Sequence, residues 1–320
     1  MKLIKTEDAV GHVLCHDMTQ IIKDQYKDAR FRKGHVVTEE DIPVLLSMGK
    51  EHLYVWEMTS GMVHENDAAE RLLALCGQEN MIRSGVKEGK IELKAACDGV
   101  FLVDSARLVA VNSQDEVMIA TRKGGMAVRE GDKLAGMRVI PLIIEEEKLR
   151  KAEQAAGDKP LLSLKPYVRK TACIVATGGE VKKGLIKDTF TPIVIDKLKT
   201  YGIETLEVVY SGDGVENVRD AVLTMREKKP DMILCTGGMS VDPDDNTPGG
   251  IKAAGANIIA YGAPVLPGAM FLLGYFDDGM PVMGLPGCVM YAGATVFDLV
   301  LPKIAADVPV TRADLAALGE

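Results

Sequence analysis

The second half of the chain predicts an α/β domain, a doubly wound and mostly parallel sheet flanked by helices, preceded by an N-terminal α+β module and a mostly β module. Three observations predict it. After Tyr167 short apolar runs alternate with helical stretches, as in TACIVAT, IETLEVVYS and DMILCTGG. Three of the runs exit into glycine-rich or proline-glycine loops. The helices between them are long enough to serve as right-handed crossovers, which place ligands at the carboxyl ends of the strands.

The elements follow in order. From Met1 to Trp56 short apolar runs lead to a helix that Thr38 is placed to cap and that ends near Gly49, then to the strand HLYVW; residues 1–60 read as a small α+β module. Residues 61–144 open with helical spacing over Met62–Cys76. They continue with KIELKAACDGVFLVDSARLVAVN and EVMIATRKGGMAVREGDKLAGMRVIPLII, β-rich runs broken by Gly and Asp-Gly turns. Residues 145–166, charged and Ala-rich up to Gly157 and Pro160, read as a linker with one exposed helix. The α/β domain spans 167–308. Its expected helices are Thr189–Tyr201, Gly214–Lys228, Thr247–Ala254 and Val289–Ile304, and its later strands NIIAYG and PVMGLPG; the apolar segment between those two strands is irregular.

Composition narrows the function classes. The chain has 320 residues, enough for two or three domains, and a 47% hydrophobic content sufficient for packed cores. Lys and Arg number 38 against 46 Asp and Glu, and a net charge of −8 argues against general attraction to nucleic acid or an anionic membrane. No apolar run approaches the ~20 residues of a spanning helix. The cysteines at 15, 76, 97, 173, 235 and 288 form no C-x-x-C and no repeated spacing, which fits a reducing, cytoplasmic setting.

The candidate ligand-binding residues lie in the strand exits: Thr177, Gly178, Gly179 and Glu180; Thr236, Gly237, Gly238 and Ser240; Pro286 and Gly287. Glycine permits positive φ and close approach of backbone N–H groups to an anion. One such loop alone is most economically a turn. Three on the same sheet edge point to a site for a small phosphorylated ligand. Neither G-x-G-x-x-G nor G-x-x-x-x-G-K-[ST] occurs there, so a dinucleotide fold or P-loop is unsupported. Between Arg169 and Lys199 basic residues exceed acidic ones by four, and Lys187, with Lys182 and Lys183, surrounds the first loop.

Asp188 lies at the end of the first loop, before a helix, and Asp242, Asp244 and Asp245 crowd the loop after the third strand. Carboxylates near a phosphate are costly unless they hold Mg²⁺, handle protons or cap a helix. Thr247-Pro248 reads as N-cap and first helical residue, leaving the aspartates for another duty. His12, Cys15 and His16 offer a weaker metal pattern, since a strand would place the thiol on the opposite face. Cys173 and Cys235 read as core residues. Cys288, at a helix start, reads as a thiol of lowered pKa.

At these residues the sequence resembles the molybdopterin-binding domain shared by molybdenum cofactor biosynthesis proteins and, in variant form, by competence-damage-inducible proteins. TGGMSVDPDDNTP, Thr236–Pro248, is similar to the family's strand-exit loop, with Asp245 on its functional aspartate; GLIKDTF, Gly184–Phe190, places Asp188 on a second. AVGHVL and FRKGHVVTEEDIPVLLSMGKEHLYV resemble parts of the molybdenumtransferase subgroup. That resemblance implies molybdopterin, in adenylylated or free form, as ligand or substrate, molybdate as substrate, Mg²⁺ as cofactor, a homo-oligomer, and a molybdoenzyme or another cofactor biosynthesis protein as partner.

The chain departs from the subgroup at three places. Its L-P-G-N-P loop reads Leu285-Pro286-Gly287-Cys288-Val289, its P-G-K-P segment reads Pro267-Gly268-Ala269-Met270, and only about fourteen residues follow Ala306, where a small C-terminal β domain would stand. These departures bear on the transfer reaction more than on ligand binding. A noncatalytic molybdopterin carrier, or chaperone for a molybdoenzyme, is the alternative, and hydrolysis of a nucleotide derivative a weaker third.

Overall fold

The computed structural model describes residues 2–22, 26–55, 61–240 and 245–319. They fall into two compact units: Met1–Cys97 with Phe101–Gly124 and Arg129–Leu164, and Asp98–Val100 with Gly125–Val128 and Lys165–Glu320.

In the first unit Lys2–Lys5 pairs antiparallel with His52–Val55, and Met18–Ile22 with Tyr26–Phe31. Leu14, Phe31, Leu45, Leu53 and Val55 form a small core beneath the helix Asp41–Ser47. That helix starts later than Thr38, because Asp41 turns back to accept from the Thr38 N–H and hydroxyl, both at 2.8 Å. Trp56, expected in the strand HLYVW, lies outside the described residues.

A four-stranded antiparallel sheet then runs in the order Met81–Arg83, Ile91–Ala95, Lys133–Val139, Val117–Thr121. Met62–His64 is a strand paired with Ile143–Glu145, and the expected helix begins only at Glu65. Ser105–Asn112, expected to be β, is a helix. Its valines favour strand, but the Asp104 carboxylate caps it by accepting from the Arg107 N–H at 3.1 Å. The stretch 145–166 is no exposed linker: it forms the helix Glu146–Ala156 and the strand Leu162–Pro166, and Leu149, Ala152, Leu161, Leu162 and Leu164 are at most 1% exposed.

His64 joins the early and later parts of this unit. Its buried ring donates from Nε2 to the Cys15 carbonyl, while Nδ1 accepts from Lys33 Nζ at 2.8 Å and from the Asn66 N–H at 3.1 Å. These partners select the neutral ring. Burial, reinforced by Lys33 and His16, holds the His64 pKa below its ordinary value, although the Cys15 carbonyl and Asp67 pull it up. The unfolded chain therefore takes the proton more readily. Stability is full above the ordinary histidine value of 6.5 and declines as pH falls from there toward the folded pKa. Thermal melting is expected at lower temperature at pH 5.5 than at pH 7.5, and His64→Gln should flatten that slope. His16, shifted the same way by burial, leaves a residual slope, and Glu65, raised by burial, opposes it. An unchanged slope in the variant would refute the assignment.

In the second unit a six-stranded sheet has the order Glu204–Ser211, Thr171–Thr177, Met232–Thr236, Pro281–Leu285, Leu272–Tyr275, Asn257–Tyr261. The first four strands are parallel; Leu272–Tyr275 alone runs against them, pairing antiparallel with both Pro281–Leu285 and Asn257–Tyr261. Helices Phe190–Lys199 and Val296–Ala305 contribute Val194, Leu198, Phe297, Val300, Leu301 and Ile304 to one core; Val215–Glu227 and Thr247–Ala253 contribute Val218, Val222, Met225 and Ile251 to the other. This is the doubly wound, mostly parallel α/β arrangement that the alternating pattern predicts.

Two expectations need correction. The apolar segment expected to be irregular contains the strand Leu272–Tyr275, and Phe271, Leu272, Leu273 and Phe276 are at most 3% exposed. The single helix expected over 289–304 is a short 3-10 turn, Gly287–Met290, then a break, then Val296–Ala305, which restarts at a capping box of Thr295 and Asp298.

Candidate functional site

The sheet register brings the predicted loops together. Thr177 is opposite Ser211, Ala176 opposite Thr236, and Thr236 opposite Leu285, so the parallel strands end level and their exits share one edge. Gly178 has φ +140°, Gly237 +81° and Gly238 +55°, backbone that side chains rarely adopt. A Cβ on Gly237 would stand 2.3 Å from the Thr177 carbonyl oxygen, and one on Gly238 2.8 Å from Thr247 Oγ1. Gly287 differs, for it is exposed and a Cβ there would meet nothing within 4 Å.

Hydroxyl groups brace the edge. Thr177 Oγ1 donates to the Thr236 carbonyl at 2.8 Å, and Thr247 Oγ1 to the Gly237 carbonyl at 2.8 Å. Thr247 is thus the first residue of its helix, with Asn246 before it, and its hydroxyl holds the neighbouring loop instead of capping. In the first loop the Gly178 N–H donates to the Ser211 carbonyl and the Gly179 N–H to Asp213 Oδ2 at 3.1 Å. Glu180 lies in the one-turn helix Gly179–Lys182. Lys187 and Ser240 are exposed and Pro286 is buried.

Asp188 has two different oxygens. Oδ1 accepts from the Phe190 and Thr191 N–H groups at 2.9 and 3.0 Å, capping the helix Phe190–Lys199, while Oδ2 accepts from the Tyr210 hydroxyl at 3.2 Å. Burial alone would raise its pKa. The Thr191 hydroxyl dipole and N–H, the Phe190 N–H and the Tyr210 hydroxyl outweigh that and hold the carboxyl below the usual range. Beyond Asp188, Thr189 Oγ1 reaches Met290 Sδ at 3.2 Å, tying this loop to the one after Leu285.

Asp245 is partly buried just before its helix, and its charge, after burial itself, raises the pKa of Tyr261. Tyr261 donates to the Met239 and Ser240 carbonyls at 2.9 and 3.3 Å. Asp242 and Asp244 lie outside the described residues. Among the described residues no three His, Cys, Asp or Glu side chains form a metal-binding group. Tyr210, Asp213 and Tyr261 leave no local signal in the sequence, because their partners are 21 to 34 residues away.

The cysteines sort differently from one another. Cys173 and Cys235 are fully buried in strands, and burial raises both thiols, that of Cys235 to about 12. The expected lowering at Cys288 is overturned: burial pushes its thiol up, and the four-residue 3-10 turn offers only a weak compensating backbone contact. No helix among the described residues is long and apolar enough to cross a membrane.

Residues 173–306 match the family described as a probable molybdopterin binding domain. Residues 3–57 match a family described as a domain of unknown function. CinA-like proteins of Mycobacterium tuberculosis and Petrotoga mobilis are 33% and 32% identical to this chain over 76 residues. The match spans 24% of this chain but only 18% and 19% of those proteins. Among solved structures, MogA is 21% identical and MoaB of Thermus thermophilus 17%; each likeness covers 44% of this chain, 100% and 98% of those chains, with a TM-score of 0.37.

Proposed function

We propose that the second unit binds molybdopterin across its strand-exit loops and assists molybdate insertion in molybdenum cofactor biosynthesis, as a molybdopterin molybdenumtransferase-like enzyme. The observation that carries this reading is the level sheet edge, where left-handed glycines at 178, 237 and 238 bring backbone close to an incoming anion. The family match of residues 173–306 supports the choice of ligand. Thr177, Gly178, Gly179, Glu180, Thr236, Gly237, Gly238, Ser240, Pro286 and Gly287 would face the pterin and its phosphate, with Lys187 adding positive charge.

Asp188 and Asp245 would hold Mg²⁺ together with ligand phosphate oxygens. Mg²⁺ commonly binds through one or two carboxylates plus substrate phosphates, the kind of set these two aspartates would offer. When bound, the ion neutralises phosphate charge. The chain's own residues act by positioning, with Asp188 as a fixed, ionised acceptor and the loop backbone as a rigid cradle. We place the protein in the cytoplasm as a homodimer serving a molybdoenzyme, with the first unit divided at about residue 60.

A carrier reading has one specific support. Asp188 Oδ1 is already committed to two backbone donors, which a purely structural cap would also require. Both readings predict that mass spectrometry of the purified protein finds a phosphorylated pterin. Only the transferase reading predicts that adding the protein increases molybdate-dependent cofactor reconstitution. Purification without a pterin, and no uptake when one is supplied, would end both.

A further inference from the structure

We propose that Tyr261 and Thr247 are positioning residues that turn the loop from Thr236 to Ser240 into a phosphate cradle, holding its carbonyl oxygens on the protein side so that its amide hydrogens face the ligand. This rests on the reading that the loop receives the ligand's phosphate. Five successive carbonyls have donors inside the domain. Thr236 O accepts from Thr177 Oγ1 at 2.8 Å, Gly237 O from Thr247 Oγ1 at 2.8 Å and Gly238 O from the Thr247 N–H at 3.2 Å. Met239 O and Ser240 O share the Tyr261 hydroxyl at 2.9 and 3.3 Å.

In a strand successive carbonyls alternate in direction, and here the left-handed Gly237 and Gly238 break that alternation. A trans peptide sets each N–H opposite the C=O of the preceding residue. The amides of Gly237, Gly238, Met239 and Ser240 therefore turn away from the donors that hold Thr236 O to Met239 O. Consecutive amides facing one way make an anion-binding concavity. The donors come from three elements: the strand Thr171–Thr177, the helix Thr247–Ala253, and the outermost strand Asn257–Tyr261. Thr247 is 1% exposed, so water does not replace its hydroxyl. Asp245, acting on Tyr261, opposes an anion there, and a phosphate accompanied by Mg²⁺ should bind more tightly than phosphate alone.

The test is a titration of the ¹⁵N-labelled full chain with inorganic phosphate, with and without Mg²⁺. The amide resonances of Gly237, Gly238 and Ser240 should move. Tyr261→Phe should weaken binding about three- to tenfold, as for one lost hydrogen bond, while the melting temperature falls by no more than a few degrees. Thr247→Ser should keep parental affinity and Thr247→Val should lose it; should the Val variant not fold, Tyr261→Phe still decides. Parental affinity in Tyr261→Phe, or phosphate shifts that bypass these three amides, would overturn the proposal. A phosphorylated pterin co-purifying despite that result would leave the proposed function standing and place its phosphate elsewhere.

Discussion

Gly237→Val is expected to destabilise the second unit severely. At φ +81° a non-glycine residue costs about 1–3 kcal/mol, more for a β-branched one. The added Cβ would also meet the Thr177 carbonyl at 2.3 Å and its hydroxyl at 2.7 Å, and relieving such overpacking costs about 1–3 kcal/mol again. Against a domain stability of roughly 5–15 kcal/mol, that lowers the melting temperature by roughly 5–20 °C. A melting curve like the parent's would show that the strand end relaxes freely. The same reasoning disqualifies this substitution as a measure of ligand affinity. Gly287→Ala serves instead, because the site is open and the backbone ordinary. Its stability should stay within about 0.5 kcal/mol of the parent, so any loss of pterin binding reports on ligand approach at the third loop.

The alternation of strands and helices from Thr171 to Leu285 was legible because each buried strand is a continuous apolar run between turn residues. The three loops were legible for the same reason, and their common edge follows from parallel pairing. Other features depend on competition that a local pattern does not resolve. In Ser105–Asn112 the Asp104 cap outweighs the strand preference of two valines. In Val289–Ile304 the capping box at Thr295 splits one helical pattern into a turn and a helix. The strand Asn257–Tyr261 was legible, but its antiparallel partner Leu272–Tyr275 hid in a segment without clear periodicity, whose apolar side chains the sheet buries. Asp188 and Asp245 were nameable from the resemblance. Tyr210 and Tyr261, which hold Asp188 and the second loop, were not, because a hydroxyl's partner across the sheet leaves no mark in its own neighbourhood.

Asp188 separates an enzyme from a carrier because its two oxygens have separable duties. Asparagine keeps the oxygen that accepts from the Phe190 and Thr191 N–H groups, so Asp188→Asn preserves the helix cap; it removes the charge and puts an amide NH₂ where Oδ2 accepts from the Tyr210 hydroxyl. Alanine removes both and is expected to cost about 0.5–2 kcal/mol of stability. The carboxyl pKa is depressed, so the stabilisation this charge provides is complete above the unfolded value of 3.8 and lost only as pH falls below it. At neutral pH the group is ionised, so the Asn variant reports on that charge together with the Tyr210 contact. If that charge positions Mg²⁺ or the metal oxyanion, Asp188→Asn should reduce molybdate-dependent turnover by about two orders of magnitude, the scale of removing one preorganised electrostatic group. Its melting curve should stay parental, and its pterin affinity should be equal or higher, since one negative charge near the phosphate is gone. Asp245→Asn should behave alike. If Asp188 only caps the helix, the Asn variant keeps full turnover while the Ala variant loses stability. If the protein is a carrier, the parent itself shows no transfer. Full turnover in a stable Asp188→Asn, Asp245→Asn double variant would remove both aspartates from the chemistry.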